Sequence, residues 1–360
     1  MRDEEGHKKL RNKMAAGYSG KENPSLEGSV DSIIASFIAL LETKYLSTDD
    51  AYRPVDFAQK SQFFTLDVIS DLAFGQPFGY LTKDEDVLTF SRSQELFSIH
   101  RHHGQCALDD ISASLSVAKE KVAERYAPGA APHADMLGSF IKNGLSQEQT
   151  SRESLLNVVA GSETTATTIR MIMLCILTNP LAYRRLQQEI DDAAQAGTIS
   201  SPITDAEARR LPFLQATIQE GLRIKVPAAG PLYKEVPGEG DTINGMFIPG
   251  GTQIGISPFS VYLSKKVFGP DASVFRPERW LNAEPERLEV MAESVGLVFS
   301  SGKWQCLGKP VAIMELNKIF VELLRRFDFS IVKPEKPLDI FNAGVWIIEN
   351  FNVRVTRRET

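Results

Sequence analysis

Phe299-Ser300-Ser301-Gly302-Lys303-Trp304-Gln305-Cys306-Leu307-Gly308 sets one cysteine in a glycine-punctuated loop just ahead of a segment of helical period. Gly302 and Gly308 permit backbone turns and close approach that a side chain would obstruct. Behind the cysteine, Val311 to Leu324 carries apolar residues at helical spacing, so the Cys306 sulfur is expected at a helix N-terminus. The positive end of that helix favours thiolate over thiol. A lone cysteine before an amphipathic helix is most often a small buried hydrophobe, and spacing alone leaves that reading standing. What favours a presented sulfur is the run Phe-x-x-Gly-x-x-x-Cys-x-Gly, late in the chain and preceded by three further signals.

The bulk composition is that of an ordinary globular chain. With 360 residues and 42% hydrophobic content it can bury a large core, and 24% charged residues argues against disorder. A net charge of -6 carries no signature of nucleic-acid or membrane binding, so no nucleic-acid partner is expected. Cys106, Cys175 and Cys306 lie far apart without a Cys-x-x-Cys pair, which suggests neither a disulfide framework nor a zinc knuckle and fits a reducing compartment. Met1 leads directly into charged residues, with no apolar leader or anchor, so a soluble or peripheral cytoplasmic chain is expected.

Helical periods dominate: Glu5–Ala16, Ser29–Lys44, Val55–Phe74, Glu85–Ser98, Ile111–Tyr126, Ala134–Asn143, Gln147–Thr178, Pro180–Ala196 and Pro212–Lys225. Short extended pieces follow at Leu232–Val236, Asp241–Ile243, Thr252–Ile256, Ser330–Val332 and Ile347–Val355, bounded by Gly and Pro. The expectation is a mainly α fold with a small β region. Neither a linker nor a repeat divides residues 1–360, which read as a single domain.

Three stretches upstream of the cysteine carry chemistry. The longest helical segment holds Ala160-Gly161-Ser162-Glu163-Thr164-Thr165, a polar and small-residue patch between apolar flanks. Its hydroxyls can bond back one turn and bend the helix, and Ala160-Gly161 leaves room for a ligand against the backbone. Glu220 and Arg223 then stand at i,i+3 on one helix face. Glu207/Arg210, Glu284/Arg287 and Glu322/Arg325 repeat that spacing and read as solvated pairs. Third comes Phe275-Arg276-Pro277-Glu278-Arg279-Trp280. His100, His102 and His103 crowd one segment, but without carboxylates or cysteines around them they read as a surface loop.

Taken in this order, the four stretches resemble the cytochrome P450 superfamily of haem-thiolate monooxygenases. The resemblance implies haem b, iron protoporphyrin IX, held through its iron by Cys306, with loop 299–308 and its Phe299, Gly302 and Gly308 as the binding loop. It implies that Thr164 orients dioxygen and a water, that Glu163 relays protons, and that Ala160 flanks the substrate. Glu220, Arg223 and Arg279 become a buried triad that fixes the cysteine loop rather than adding net stability. Propionate partners fall on Lys234 in Gly230-Pro231-Leu232-Tyr233-Lys234, where the family usually has Arg, and on Arg11 in a Trp-x-x-x-Arg-like helix whose Trp is replaced by His7. Trp304 stands two before the cysteine where the family commonly has Arg, preceded by Lys303, which leaves that propionate contact atypical. This basic-aromatic loop, with Asp135-Met136-Leu137-Gly138-Ser139-Phe140, is similar to fungal enzymes of the pisatin demethylase group.

As implied by that family, the chain inserts one oxygen atom of O2 into a small apolar organic substrate by hydroxylation or oxidative dealkylation, in fungal secondary metabolism, with NADPH-cytochrome P450 reductase as electron donor. Lys8, Lys9 and Lys13 read as a solvated face, or as a docking patch for an acidic reductase. The family's chains are longer and anchored in the endoplasmic reticulum membrane; the resemblance here begins near Glu5, and the segment from Phe97 to Ser112 is compressed. The expected fold is therefore the family's without its N-terminal part. A truncated non-catalytic haem-binding chain, and a haem-thiolate isomerase or dehydratase, stand as alternatives.

Overall fold

Ser146 and Gln149 cap each other's backbone N–H groups, and from that box the longest helix runs 31 residues, Gln147–Leu177. In the computed structural model, which describes residues 3–87, 117–231 and 233–359, the other elements are arranged about it. In chain order, helices α1 (Glu4–Tyr18), α2 (Leu26–Leu40), α3 (Phe57–Phe74) and the short α4 (Tyr80–Lys83) are followed by α5 at 117–126 and α6 (Met136–Lys142). The long helix is α7; α8 (Pro180–Gln195), the single turn α9 (Asp205–Ala208) and α10 (Pro212–Ile224) come after it. Further on lie α11 (Pro258–Tyr262), α12 (Lys265–Phe268), α13 (Glu278–Leu281), α14 (Pro285–Gly296) and α15 (Lys309–Leu324).

The β structure is small and wholly antiparallel among the described strands. Val55–Asp56 (β1) and Phe327–Ile331 (β6) flank Asn352–Arg357 (β9), with Val55 opposite Val353 and Phe329 opposite Val355. Three two-stranded ribbons pair Lys234–Glu235 (β2) with Gln253–Ile254 (β5), Asp241–Ile243 (β3) with Met246–Ile248 (β4), and Asp339–Asn342 (β7) with Trp346–Glu349 (β8). The β7–β8 tip reaches back to the chain after α10, where Ala229 and Gly230 donate their N–H groups to the Gly344 carbonyl.

Two close approaches set the core. A Cβ on Gly221 of α10 would lie 2.1 Å from Ile172 Cγ1 of α7, so only glycine lets these helices meet here. On the opposite side α3 packs along α7 and is buried almost all round. Its polar groups are satisfied: Asp67, whose carboxyl is raised above the usual range by burial, accepts the N–H groups of Gly79, Tyr80 and Leu81 at the start of α4. Glu189 of α8 similarly receives the free N–H groups of Phe213 and Leu214 at the start of α10, at 2.7 and 2.8 Å.

Several expectations need correction. The helix expected from Val55 begins at Phe57, because Val55 and Asp56 pair with β9 and the Asp56 carboxylate caps the helix. The helix expected over Ser29–Lys44 starts earlier, at Leu26, and widens to a π turn over Leu41–Tyr45. Glu85, Asp86 and Val87 are not helical, and the remainder of that segment, with Cys106, the three histidines and the compressed stretch, lies outside the described residues. The extended piece Ile347–Val355 is two strands separated at Asn350, whose φ is +58°.

Candidate active site

The cysteine loop is shaped by two tight turns, Leu297–Phe299 and Gly302–Trp304, with φ of +57° at both Ser300 and Gly302. The Cys306 N–H donates to the Phe299 carbonyl at 2.7 Å, which closes the loop and leaves the sulfur exposed. Gly302 has a positive φ, which glycine adopts without strain, and faces open space, whereas Gly308 has an ordinary φ of -76° and caps α15. Even a Cβ at Gly308 would make only ordinary contact, 3.7 Å from Cys306 Sγ. The freedom expected at Gly308 is therefore not required by the polypeptide itself.

Helix α1 and strand β2 supply polar groups beside this loop. Arg11 donates to the Gln305 carbonyl, and Lys303 pairs with Glu4, each at 2.5 Å. His7 stacks on Trp304 at 4.3 Å between centroids, and Lys234 Nζ stands 4.4 Å from the centroid of the same ring. Partial burial, then the Lys303 charge, lowers the pKa of Lys234. Nδ1 of His7 is buried without a hydrogen-bond partner among the described residues. Phe299 lies beneath Lys309, 5.5 Å away.

Helix α7 presents Leu156, Val159 and Ala160 to the outside, an apolar strip on a helix otherwise largely in the core. Thr164 Oγ1 donates to the Ala160 carbonyl at 2.8 Å, and Thr168 Oγ1 to the Thr164 carbonyl at 2.9 Å, the back-bonding anticipated from sequence. Gly161 does not open space for a ligand: Ile69 of α3 fills it, 3.1 Å from where a Cβ would sit. Glu163 points into the core, paired with Arg170 at 2.8 Å. Helix α1 connects α7 with the cysteine loop: its Tyr18 bonds the Asn157 side chain of α7, while its Arg11 reaches the loop at Gln305. Burial raises the Tyr18 pKa first, with the charges of Glu153 and Cys306 adding to it.

Glu220, Arg223 and Arg279 meet in the interior, with Glu220 Oε1 at 2.7 Å from Arg223 Nη2 and 3.1 Å from Arg279 Nε. Two further side chains belong to the cluster. Trp280 Nε1–H donates to Glu220 Oε2 at 2.9 Å, and Asp271 accepts from Arg279 at 2.9 Å and from Arg276 at 2.6 Å, which holds its carboxyl well below the usual range. The guanidiniums also tie down the segment ahead of the loop, donating to the carbonyls of Tyr262, Phe268, Ala272 and Val274.

The cytochrome P450 family model matches residues 1–355. The chain belongs to the cytochrome P450 family. It is 40% identical to cytochrome P450 monooxygenase ABA1 of Pyricularia oryzae across 98% of this chain and 74% of that protein, and equally to aba1 of Botryotinia fuckeliana. A cytochrome P450 monooxygenase of Aspergillus terreus is 30% identical over 91% of this chain and 72% of its own length. The chain is thus a cytochrome P450 monooxygenase, an oxidoreductase that uses haem, O2, an organic substrate and a redox partner.

In this cytochrome P450 the residues present suit haem. An exposed sulfur, open space at Gly302, an unpartnered His7 Nδ1 and the cations Arg11 and Lys234 together offer an iron ligand and donors for carboxylates. Sequence reasoning missed Asp271, which acts through tertiary contact alone, although Trp280 sat inside a quoted motif. It also misread Glu322/Arg325: Glu322 is buried, receives the Ile203 N–H at 2.8 Å and pairs with Arg325 and Arg326. Glu315 of α15 is buried too, and burial pushes its carboxyl well up. Among the described residues no single helix is long and apolar enough to cross a membrane.

Proposed function

We propose that this cytochrome P450 hydroxylates or oxidatively dealkylates a small apolar substrate in fungal secondary metabolism, using haem b and electrons from NADPH-cytochrome P450 reductase. One oxygen atom of O2 enters the substrate and the other leaves as water, which consumes two electrons and two protons. The observation that carries the reading is the closed loop holding the Cys306 sulfur outward beside Arg11, His7 and Lys234.

Haem, when bound, supplies the activation of O2 and the transfer of one oxygen atom. Cys306 Sγ would ligate the iron, and sulfur ligation favours O–O cleavage. Arg11 and Lys234 would hold the propionates, with His7 as a further donor. Leu156, Val159 and Ala160 would offer the substrate an apolar wall. Thr164 would orient dioxygen and a water, and Glu163 would deliver protons; a hydroxyl and a carboxylate suit that work in a site closed to bulk water.

The test is the spectrum of the purified chain reduced under carbon monoxide. Wild type should show the red-shifted Soret band of a thiolate-ligated haem, and Cys306→Ala should abolish it. An unchanged band in the variant would remove Cys306 as the ligand.

A further inference from the structure

Glu163 is occupied on both oxygens. Its Oε1 accepts from Arg170 Nη1 at 2.8 Å and from Thr167 Oγ1 at 3.3 Å, while Oε2 accepts from Gln62 Nε2 at 2.9 Å. Arg170, two turns further along α7, is itself pinned to α3: its Nε donates to the Ala58 carbonyl at 2.9 Å and to Ser61 Oγ at 3.0 Å. Its Nη2 lies 3.4 Å from Gln62 Oε1, so the Gln62 amide spans both partners of the ion pair. All three side chains are buried.

Residues seven apart share a helix face, and neighbours are about 100° apart. Glu163 and Arg170 both reach α3, at Gln62 and at Ala58 and Ser61, whereas Thr164, one residue on, stands about 100° round from Glu163. The carboxylate and the hydroxyl are adjacent in sequence but engaged with different partners, Thr164 with the Ala160 carbonyl and Glu163 with the α3 clasp.

We propose that Arg170 and Gln62 are positioning residues for Glu163. Resting on the proton-delivery reading above, the inference is that they form a two-armed clasp that fixes where this carboxylate stands and which way it can turn. The arms differ in strength. Both bonds end on the charged carboxylate, but only the one from Arg170 is also an ion pair, so rotation of Glu163 toward Thr164 gives up the Gln62 arm first and keeps the Arg170 arm as its pivot.

The experiment compares Gln62→Leu, Glu163→Gln and the double variant, each as haem-loaded protein with reductase, following product and peroxide formed per electron pair. Gln62→Leu should lower product per electron pair by about tenfold, as misplacement of a proton-transfer group does. The double variant should be no worse than Glu163→Gln alone, because Gln62 acts through that carboxylate. Urea unfolding of wild type and these three variants should show a non-zero coupling between positions 62 and 163. Haem content should stay at the wild-type level throughout, and Arg170→Lys, which keeps the charge but not the fork, should fall between wild type and Gln62→Leu.

If Glu163→Gln leaves product per electron pair unchanged, the relay and the clasp both fail. If Glu163→Gln uncouples the enzyme and Gln62→Leu does not, the relay stands and the clasp is overturned. Additive losses in the double variant, or zero coupling in urea, would reduce Gln62 to a packing residue and also overturn it.

Discussion

Glu220 is the buried carboxylate on which two buried guanidiniums converge, so its charge matters more than its volume. Replacing a whole buried ion cluster by apolar groups can be neutral, but removing one partner strands the others. Glu220→Gln keeps the shape but removes the charge opposite both arginines, leaving Arg279 its pair with Asp271 and Arg223 only neutral acceptors such as the Tyr262, Ala272 and Val274 carbonyls. The expected loss is about 3–5 kcal/mol of unfolding free energy, measured in urea. A loss below about 1 kcal/mol, the range of an exposed pair, would show that the cluster is solvated in solution. At this scale the sequence was informative where chemistry is packed into consecutive residues, as around Cys306 and Thr164. It was silent where distant segments supply the partner: Asp271 completes the arginine cluster, and Ile69 fills the gap at Gly161. Likewise His7 and Trp304 each stood out as a departure, yet their stacking across 297 positions is a property of the fold.

Among the elements, α1 matters most to the site because it carries Arg11 and His7 and packs against α6. Glu22, just beyond α1, ties this pair together by accepting from Ser139 at 2.6 Å, Lys142 at 2.6 Å and Asn143 at 2.7 Å around the end of α6. The bond from Lys142 chiefly, then that from Ser139, pulls its carboxyl from 4.5 down to about 2. A depressed folded-state pKa gives stability that is fully present above pH 4.5 and lost as pH falls through about 2. Glu22→Gln should therefore lower the urea midpoint at pH 6 and converge with wild type toward pH 2; parallel curves over that range would show that ionisation of Glu22 is not involved. Helix existence was mostly legible, since amphipathic period and caps such as Ser146 with Gln149 are local. The helix α14 went unread, and so did β1, because its pairing with β9 joins Val55 to Val353. A two-residue strand has no period to detect.

For the whole molecule, the walls of the site come from α1, α7, β2 and the cysteine loop, segments far apart in the chain. Near the loop their contacts are thin: Lys303 with Glu4 is an exposed pair, and Arg11 reaches one carbonyl. A ligand that touches all of them only in the folded state must stabilise the fold by mass action, about 1.4 kcal/mol for each tenfold rise in free ligand above its Kd. Adding haem to the apoprotein should accordingly raise the urea midpoint in step with the logarithm of free haem, and Cys306→Ala should shift that response to higher haem concentrations. The gain should also be unequal. Amide hydrogen exchange should slow most in the first half of α1, around His7 and Arg11, and in residues 299–308, which few protein contacts hold together, and least in α3, which is already buried almost all round. A midpoint indifferent to haem would mean that these segments do not form one site in solution. A uniform gain in protection would mean that α1 is already docked without the cofactor, and that Arg11 and His7 await the haem rather than being ordered by it.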